Sequence, residues 1–123
     1  MTAYNFGDVV LVGFPHTDLR GVSKRPAFVI YDAGDLDILV ARVTTQEYTT
    51  GADYKIVEWR RSGLIAESFV RLGKQATIEK KYIIRKLGTL TESELETIKS
   101  VLRNIFNLSF LQKSVIYPST GSG

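Results

Sequence analysis

Arg25 stands directly before Pro26, and Thr44, Thr45 and Gln46 close the apolar run that starts at Ile38. These residue types can work on a phosphate without a metal. A guanidinium offers a planar fork of donors that matches phosphate oxygens and stays charged. A threonine hydroxyl is a donor of defined direction, because the β-branched side chain is stiff at χ1. At the ends of neighbouring strands, the two would stabilise negative charge as it develops on a phosphate. Pro26 sets its own φ and biases Arg25 toward an extended backbone, so Arg25 is expected at the mouth of a strand. On residue types alone, the plainer reading is the stronger one: a surface arginine and a strand-end threonine.

Other chemistries are narrowed by what the chain lacks. His16 is the single histidine and there is no cysteine. A histidine-pair zinc site within one chain, a thiolate zinc site and a disulfide are therefore excluded. Histidine is the side chain whose ordinary charge change lies nearest neutrality, but in a loop His16 is more often a solvated or turn residue than a catalytic or ligand-binding group. No Walker-type or dinucleotide glycine loop, no nucleophile elbow and no run of carboxylates for a hard cation is present.

The elements that must position these residues are read from periodicity. "FGDVVLVGF", "PAFVIYD" and "ILVARVTTQ" are apolar and β-branched, bounded by turn residues, and read as three buried strands. Residues 15–24 form a polar loop of a length that is more often functional than a plain hairpin turn. "YKIVEW", "SFVRL", "QATI" and "YIIRKLG" add short extended pieces, which together indicate a small barrel or curled sheet. The period then changes. Thr91 and Glu94 form a capping-box pair, and Leu95, Ile98, Leu102 and Ile105 follow at helical spacing. Phe110, Leu111, Val115, Ile116 and Tyr117 are expected to add an edge strand or to dock on a partner, ahead of a flexible "STGSG" end.

The 123 residues suit one domain, and 44% apolar content is enough for a packed core. The net charge of +3 is unevenly spread. Residues 51–86 carry nine Lys/Arg against four acids, whereas residues 1–50 carry four against six. Such a segment is either a solvated surface or a footprint for a polyanion. No signal-like or membrane-length apolar segment is visible, so a cytoplasmic protein without membrane contact is expected.

"GDVVLVGFPHTDLRGVSKRPAFVI", "VTTQ" and "LGKQATIEKKYIIRKLGTLTESELETI", in that order over residues 6–106, resemble the PemK/MazF-type toxins of bacterial toxin–antitoxin systems. The resemblance implies a mostly β (α+β) fold, a small SH3-like barrel of the MazF/PemK/CcdB type with a C-terminal helix. It implies a toxin domain over residues 1–106, a tail over 107–123, and a homodimer. It also implies a sequence-specific endoribonuclease that needs no metal or cofactor and is neutralised by a cognate antitoxin. In the family the substrate's own 2′-hydroxyl attacks the adjacent phosphate of single-stranded RNA, leaving 2′,3′-cyclic phosphate and 5′-hydroxyl ends. By the same resemblance Arg25 is the catalytic arginine, stabilising the transition state and serving as a candidate proton donor. Thr44 is the catalytic threonine, oriented on the scissile phosphate. His16, Arg20, Lys24, Thr45, Gln46 and Arg71 are RNA contacts. Where many members carry a Glu in the first loop, this chain reads "DLRGVSK", and Gly73 stands where many carry an acid before "TI". The alternative is a non-catalytic toxin on the same fold that binds a protein such as DNA gyrase. Arg25 together with Thr44 favours cleavage, since such a binder has no need of the pair.

Overall fold

The computed structural model describes residues 2–15 and 21–116. Six strands appear in order: β1 (Asp8–Pro15), β2 (Val22–Tyr31), β3 (Asp37–Thr44), β4 (Asp53–Lys55), β5 (Phe69–Glu79) and β6 (Ile83–Thr89). A 3₁₀ turn at Lys80–Tyr82 links β5 to β6, and helix α1 (Glu92–Ile116) follows. The strands form one antiparallel sheet in the order β4-β5-β3-β2-β1-β6. This is the mostly β fold with a C-terminal helix that the resemblance implied, but the sheet is curled rather than closed: β4 and β6 remain its two ends.

The strands are apolar on both faces because both faces are buried. On one face Val9, Phe28, Ala41, Val43, Val70 and Leu72 pack under Leu95 and Ile98 of α1. On the other, Val10, Val12, Ala27, Val29, Ile38 and Val40 are closed over by Tyr4, Ile78, Tyr82 and Ile83. The curl that allows this has local causes. Pairing of β3 with β5 jumps from Ala41↔Gln75 to Arg42↔Arg71, leaving Leu72, Gly73 and Lys74 as an extra loop of strand. Insertions of this kind bend the strand that carries them.

Three expectations are corrected. "SFVRL" and "QATI" belong to one eleven-residue strand, kinked at that insertion. The second strand begins at Val22, not Pro26, because the ladder with β1 extends to Pro15↔Val22. Pro26 is tolerated there because the ladder with β3 starts only at Ala27, so no partner on that side needs its missing N–H. Finally, the segment expected to add an edge strand continues α1 as far as Ile116.

The opening Gly-Asp is structural. Gly7 has φ +97°, and a Cβ there would lie 2.7 Å from Leu95 Cδ2. Buried Asp8 accepts from the Asn5 N–H at 2.9 Å and the Thr89 hydroxyl at 2.8 Å, and pairs with Lys86 at 3.2 Å. The capping pair is half realised. Thr91 Oγ1 accepts the Glu94 N–H at 3.3 Å. The Glu94 carboxylate turns inward instead, accepting from Tyr54 Oη at 2.8 Å, Val57 N at 2.7 Å and Glu58 N at 3.3 Å. Burial and this carboxylate both push the Tyr54 phenol up, which keeps it a donor.

Candidate functional site

The register of β2 and β3 decides which side chains meet. Ala27 lies opposite Arg42, and side chains two residues apart share a face. Two places further along each strand, past the last ladder pair, come Arg25 on β2 and Thr44 on β3. Continuing the antiparallel register sets these two across from one another on the face that carries Ala27 and Arg42. Both line a cavity of about 150 Å³, together with Lys24, Pro26, Arg42 and Thr45. The β2–β3 ladder starts only at Ala27↔Arg42, so the strands are not paired at Arg25 and Thr44, where the cavity lies. Ser68, buried ahead of β5, also lines it.

Thr44 is held in a defined orientation. Its Oγ1 accepts the Gln46 N–H at 3.1 Å, which folds the chain back just after the strand, and among the described residues the hydroxyl hydrogen has no acceptor. Thr45 and Gln46 are exposed on this turn.

The charge around the cavity has one sign. Lys24, Arg25, Arg42 and Lys74 are exposed, and none has an ion-pair partner among the described residues. Among the described residues, no acidic side chain lines the cavity. A second cavity of about 160 Å³ adjoins it, sharing Arg25, Pro26 and Arg42 as a wall. Its floor is apolar, built from Val12, Ala27 and Val40, with Phe14 and Lys74 at the rim. Cations with no ion-pair partner among the described residues, beside an apolar slot, suit a ligand that carries both anionic and flat apolar parts.

A roomier cavity of about 390 Å³ lies elsewhere, between Tyr4, Leu36 and Ile83. Its cations are already engaged: Lys80 with Asp32 at 2.8 Å and Lys81 with Glu79 at 3.3 Å. The pairing with Lys80, and a hydrogen bond from the Tyr4 N–H, lower the Asp32 carboxyl to about 2. This end of the molecule is a fastening of the β2–β3 turn.

The structure thus brings together Arg25, Thr44, Lys24 and Thr45, with Gln46 on the adjoining turn. Arg71 is placed differently. Its Nε–H donates to Asp53 Oδ1 at 3.1 Å, and its guanidinium lies 3.6 Å from the ring centroid of Tyr48. Burial raises the Asp53 carboxyl, but hydrogen bonds from Thr50 and Arg71 outweigh that, and its pKa is held below the usual value. His16 and Arg20 fall outside the described residues. Arg42 and Lys74 are the members that sequence reasoning missed. Arg42 did leave a signal, a charge interrupting "ILVARV" on the same strand face as Thr44; Lys74 left none, because the insertion in β5 delivers it. Among the described residues no group of three or more His, Asp or Glu could hold a metal ion, and no helix is long and apolar enough to cross a membrane.

Comparison with known proteins places this geometry in context. The family model described as PemK-like, MazF-like toxin of type II toxin–antitoxin system matches residues 5–106. No curated protein matches the chain. Among solved structures, the chain is similar to an endoribonuclease in complex with its cognate antitoxin from a mycobacterial species, with a TM-score of 0.69 and 17% identity over 86% of this chain and 97% of that one. It is similar to the Mycobacterium tuberculosis toxin MazF-mt6, with a TM-score of 0.67 and 18% identity over 81% and 96%. A further endoribonuclease from a mycobacterial species gives a TM-score of 0.67 and 19% identity over 87% and 94%. At these identities the likeness is one of fold.

Proposed function

Since this chain belongs to the PemK-like, MazF-like toxins of type II toxin–antitoxin systems, we propose that it is a metal-independent, sequence-specific endoribonuclease of single-stranded RNA. The observation that carries this reading is the cavity shared by Arg25 and Thr44, ringed by cations with no ion-pair partner among the described residues. In the proposed step the substrate's 2′-hydroxyl loses its proton and its oxygen bonds to the adjacent phosphorus. The P–O5′ bond breaks, and O5′ takes up a proton. The products are a 2′,3′-cyclic phosphate and a 5′-hydroxyl. Negative charge grows on the non-bridging oxygens along this path. Arg25 meets it with its fork of donors and the Thr44 hydroxyl with its hydrogen, while Lys24 and Arg42 hold the flanking backbone. Thr45 and Gln46 contact the RNA from the turn. Because the nucleophile belongs to the substrate, DNA of the same sequence should not be cut.

The homodimer and the cognate antitoxin belong to the same reading. An antitoxin segment rich in acidic residues would satisfy the cations around the cavity and so compete with RNA. The test is to incubate the protein with a long RNA, with and without EDTA, and to map the ends. Cyclic-phosphate and 5′-hydroxyl ends at a recurrent sequence, unaffected by EDTA and lost in Arg25→Ala, are expected. Full cleavage by a folded Arg25→Ala variant would refute the assignment of that residue. Cleavage abolished by chelation would refute metal independence.

A further inference from the structure

The loop that follows Thr44 runs from residue 45 to residue 52 and contains no strand or helix. It begins with Thr45 and Gln46 at the cavity, and one side chain from outside grips it twice. The Arg71 guanidinium stacks on Tyr48 in mid-loop, 3.6 Å from the ring centroid. The same group pairs with Asp53, the first residue after the loop, at 3.1 Å. That pair is sheltered: the Arg71 side chain is 15% exposed and the Asp53 side chain 2%. Asp53 passes the restraint back into the loop, accepting from the Thr50 N–H at 3.0 Å and the Thr50 hydroxyl at 2.6 Å. The Leu72 N–H, next to Arg71 on β5, donates to the Ala52 carbonyl at 2.8 Å.

The register explains why Arg71 takes this course. On β5 it lies opposite Arg42 of β3 on one side and opposite Asp53 of β4 on the other. Like charges directly opposite repel and unlike charges attract. Arg71 therefore turns to Asp53, and Arg42 is left to the cavity.

We propose that Arg71 is a positioning residue: through Tyr48 and Asp53 it fixes the loop so that the Thr44–Gln46 turn keeps its place at the cavity. It contacts no RNA. The inference rests on the catalytic reading of Thr44 given above. A small displacement of a group acting on the transition state costs rate rather than affinity, up to about 100-fold for an ångström. A lost phosphate contact does the reverse. It weakens binding and lowers the salt dependence of binding to a single strand by about 0.7 in log–log slope.

The test uses Arg71→Gln, Arg71→Lys, Tyr48→Ala and Tyr48→Phe in the full chain. Single-turnover cleavage of a long RNA is compared with binding of a 2′-O-methyl oligonucleotide that spans the mapped cut site, over a range of salt. Expected for Arg71→Gln and Tyr48→Ala is a loss of about 10- to 100-fold in rate, with affinity and salt slope unchanged. Arg71→Lys should recover part of the rate, since it restores the charge but not the flat fork. Tyr48→Phe should match the parent protein. Tyr48→Ala leaves no buried carboxylate unpaired, so it remains informative if Arg71→Gln fails to fold. Amide hydrogen exchange at Gln46 and Asp53 is read on the free protein and should quicken in the two loosened variants. Unchanged exchange in both, an unchanged rate in Tyr48→Ala, or a fall in affinity and salt slope would each overturn the proposal. If the parent protein cuts no RNA, the catalytic reading fails and the positioning role with it. The exchange data then still report separately whether Arg71 restrains the loop.

Discussion

Replacing Thr44 by Val isolates the hydroxyl that the cavity geometry singles out. The two side chains have nearly the same shape, and both are β-branched, so the strand end is not disturbed. What is lost is one donor in the lining of the cavity and one acceptor, at 3.1 Å, for the Gln46 N–H. Thr44 is half-buried and Gln46 exposed, so water can satisfy that N–H. The fold should lose less than about 1 kcal/mol. The chemical step should lose far more. Removing one preorganised donor from a site of developing negative charge costs about 3–4 kcal/mol, or about 10²–10³ in kcat. Thr44→Ser keeps the hydroxyl without the methyl that restricts χ1, and should fall between Val and the parent protein. The assay is single-turnover cleavage of a long single-stranded RNA at saturating protein, with chemical denaturation run in parallel. A folded Thr44→Val variant that cleaves within a few-fold of the parent protein would refute the claim that this hydroxyl stabilises the transition state.

Further perturbations probe the frame that holds the cavity. Gly7→Ala places a methyl 2.7 Å from Leu95 Cδ2 at φ +97°, and should cost about 1–3 kcal/mol in urea denaturation. Glu94→Ala removes a buried carboxylate that accepts from Tyr54, Val57 and Glu58; a loss on the order of 3 kcal/mol is expected, with faster amide exchange at Val57 and Glu58. The Asp32 carboxyl is lowered from 3.8 to about 2 by Lys80, Tyr4 and Gly34. Between those values the unfolded chain binds the extra proton, so stability rises with pH. The contribution is complete above about pH 4 and lost as pH falls through about 2. The stability difference between the parent protein and Asp32→Asn should therefore be constant from pH 5 to neutrality and shrink in acid; a difference that does not change with pH would refute the coupling.

Much of the frame is legible locally. Continuous apolar, β-branched runs bounded by turn residues mark β1, β2 and β3, and the helical spacing after Thr91 marks α1. The misreadings share one cause. Pro26 suggested a strand start, but a proline can sit inside a strand where one neighbour is missing, and the neighbour is set by pairing with β3. "SFVRL" and "QATI" looked separate because Gly73 and Lys74 interrupt the alternation, and only the ladder with β3 shows them to be one kinked strand. The segment from Phe110 to Ile116 is apolar enough for a strand, yet the backbone continues the helix. Thr91 and Glu94 promised a reciprocal cap, but Tyr54 of β4 and the Val57 and Glu58 N–H groups of the β4–β5 connection offered the carboxylate a better place.

The amino-acid sequence by itself determined the chemical vocabulary of this protein: one histidine, no cysteine, an arginine before a proline and a Thr-Thr-Gln strand end, in the order its family uses. Residue type and local spacing are enough for that, because they depend on neighbours along the chain. Only the tertiary structure decided which of these groups meet. The antiparallel register of β2 and β3 sets Arg25 across from Thr44 and adds Arg42 to their cavity. The register of β5, with an acid on one side and an arginine on the other, turns Arg71 away to Asp53 and Tyr48. Basic residues of one kind thus take opposite roles, since a guanidinium's use is settled by the partner that folding places within reach.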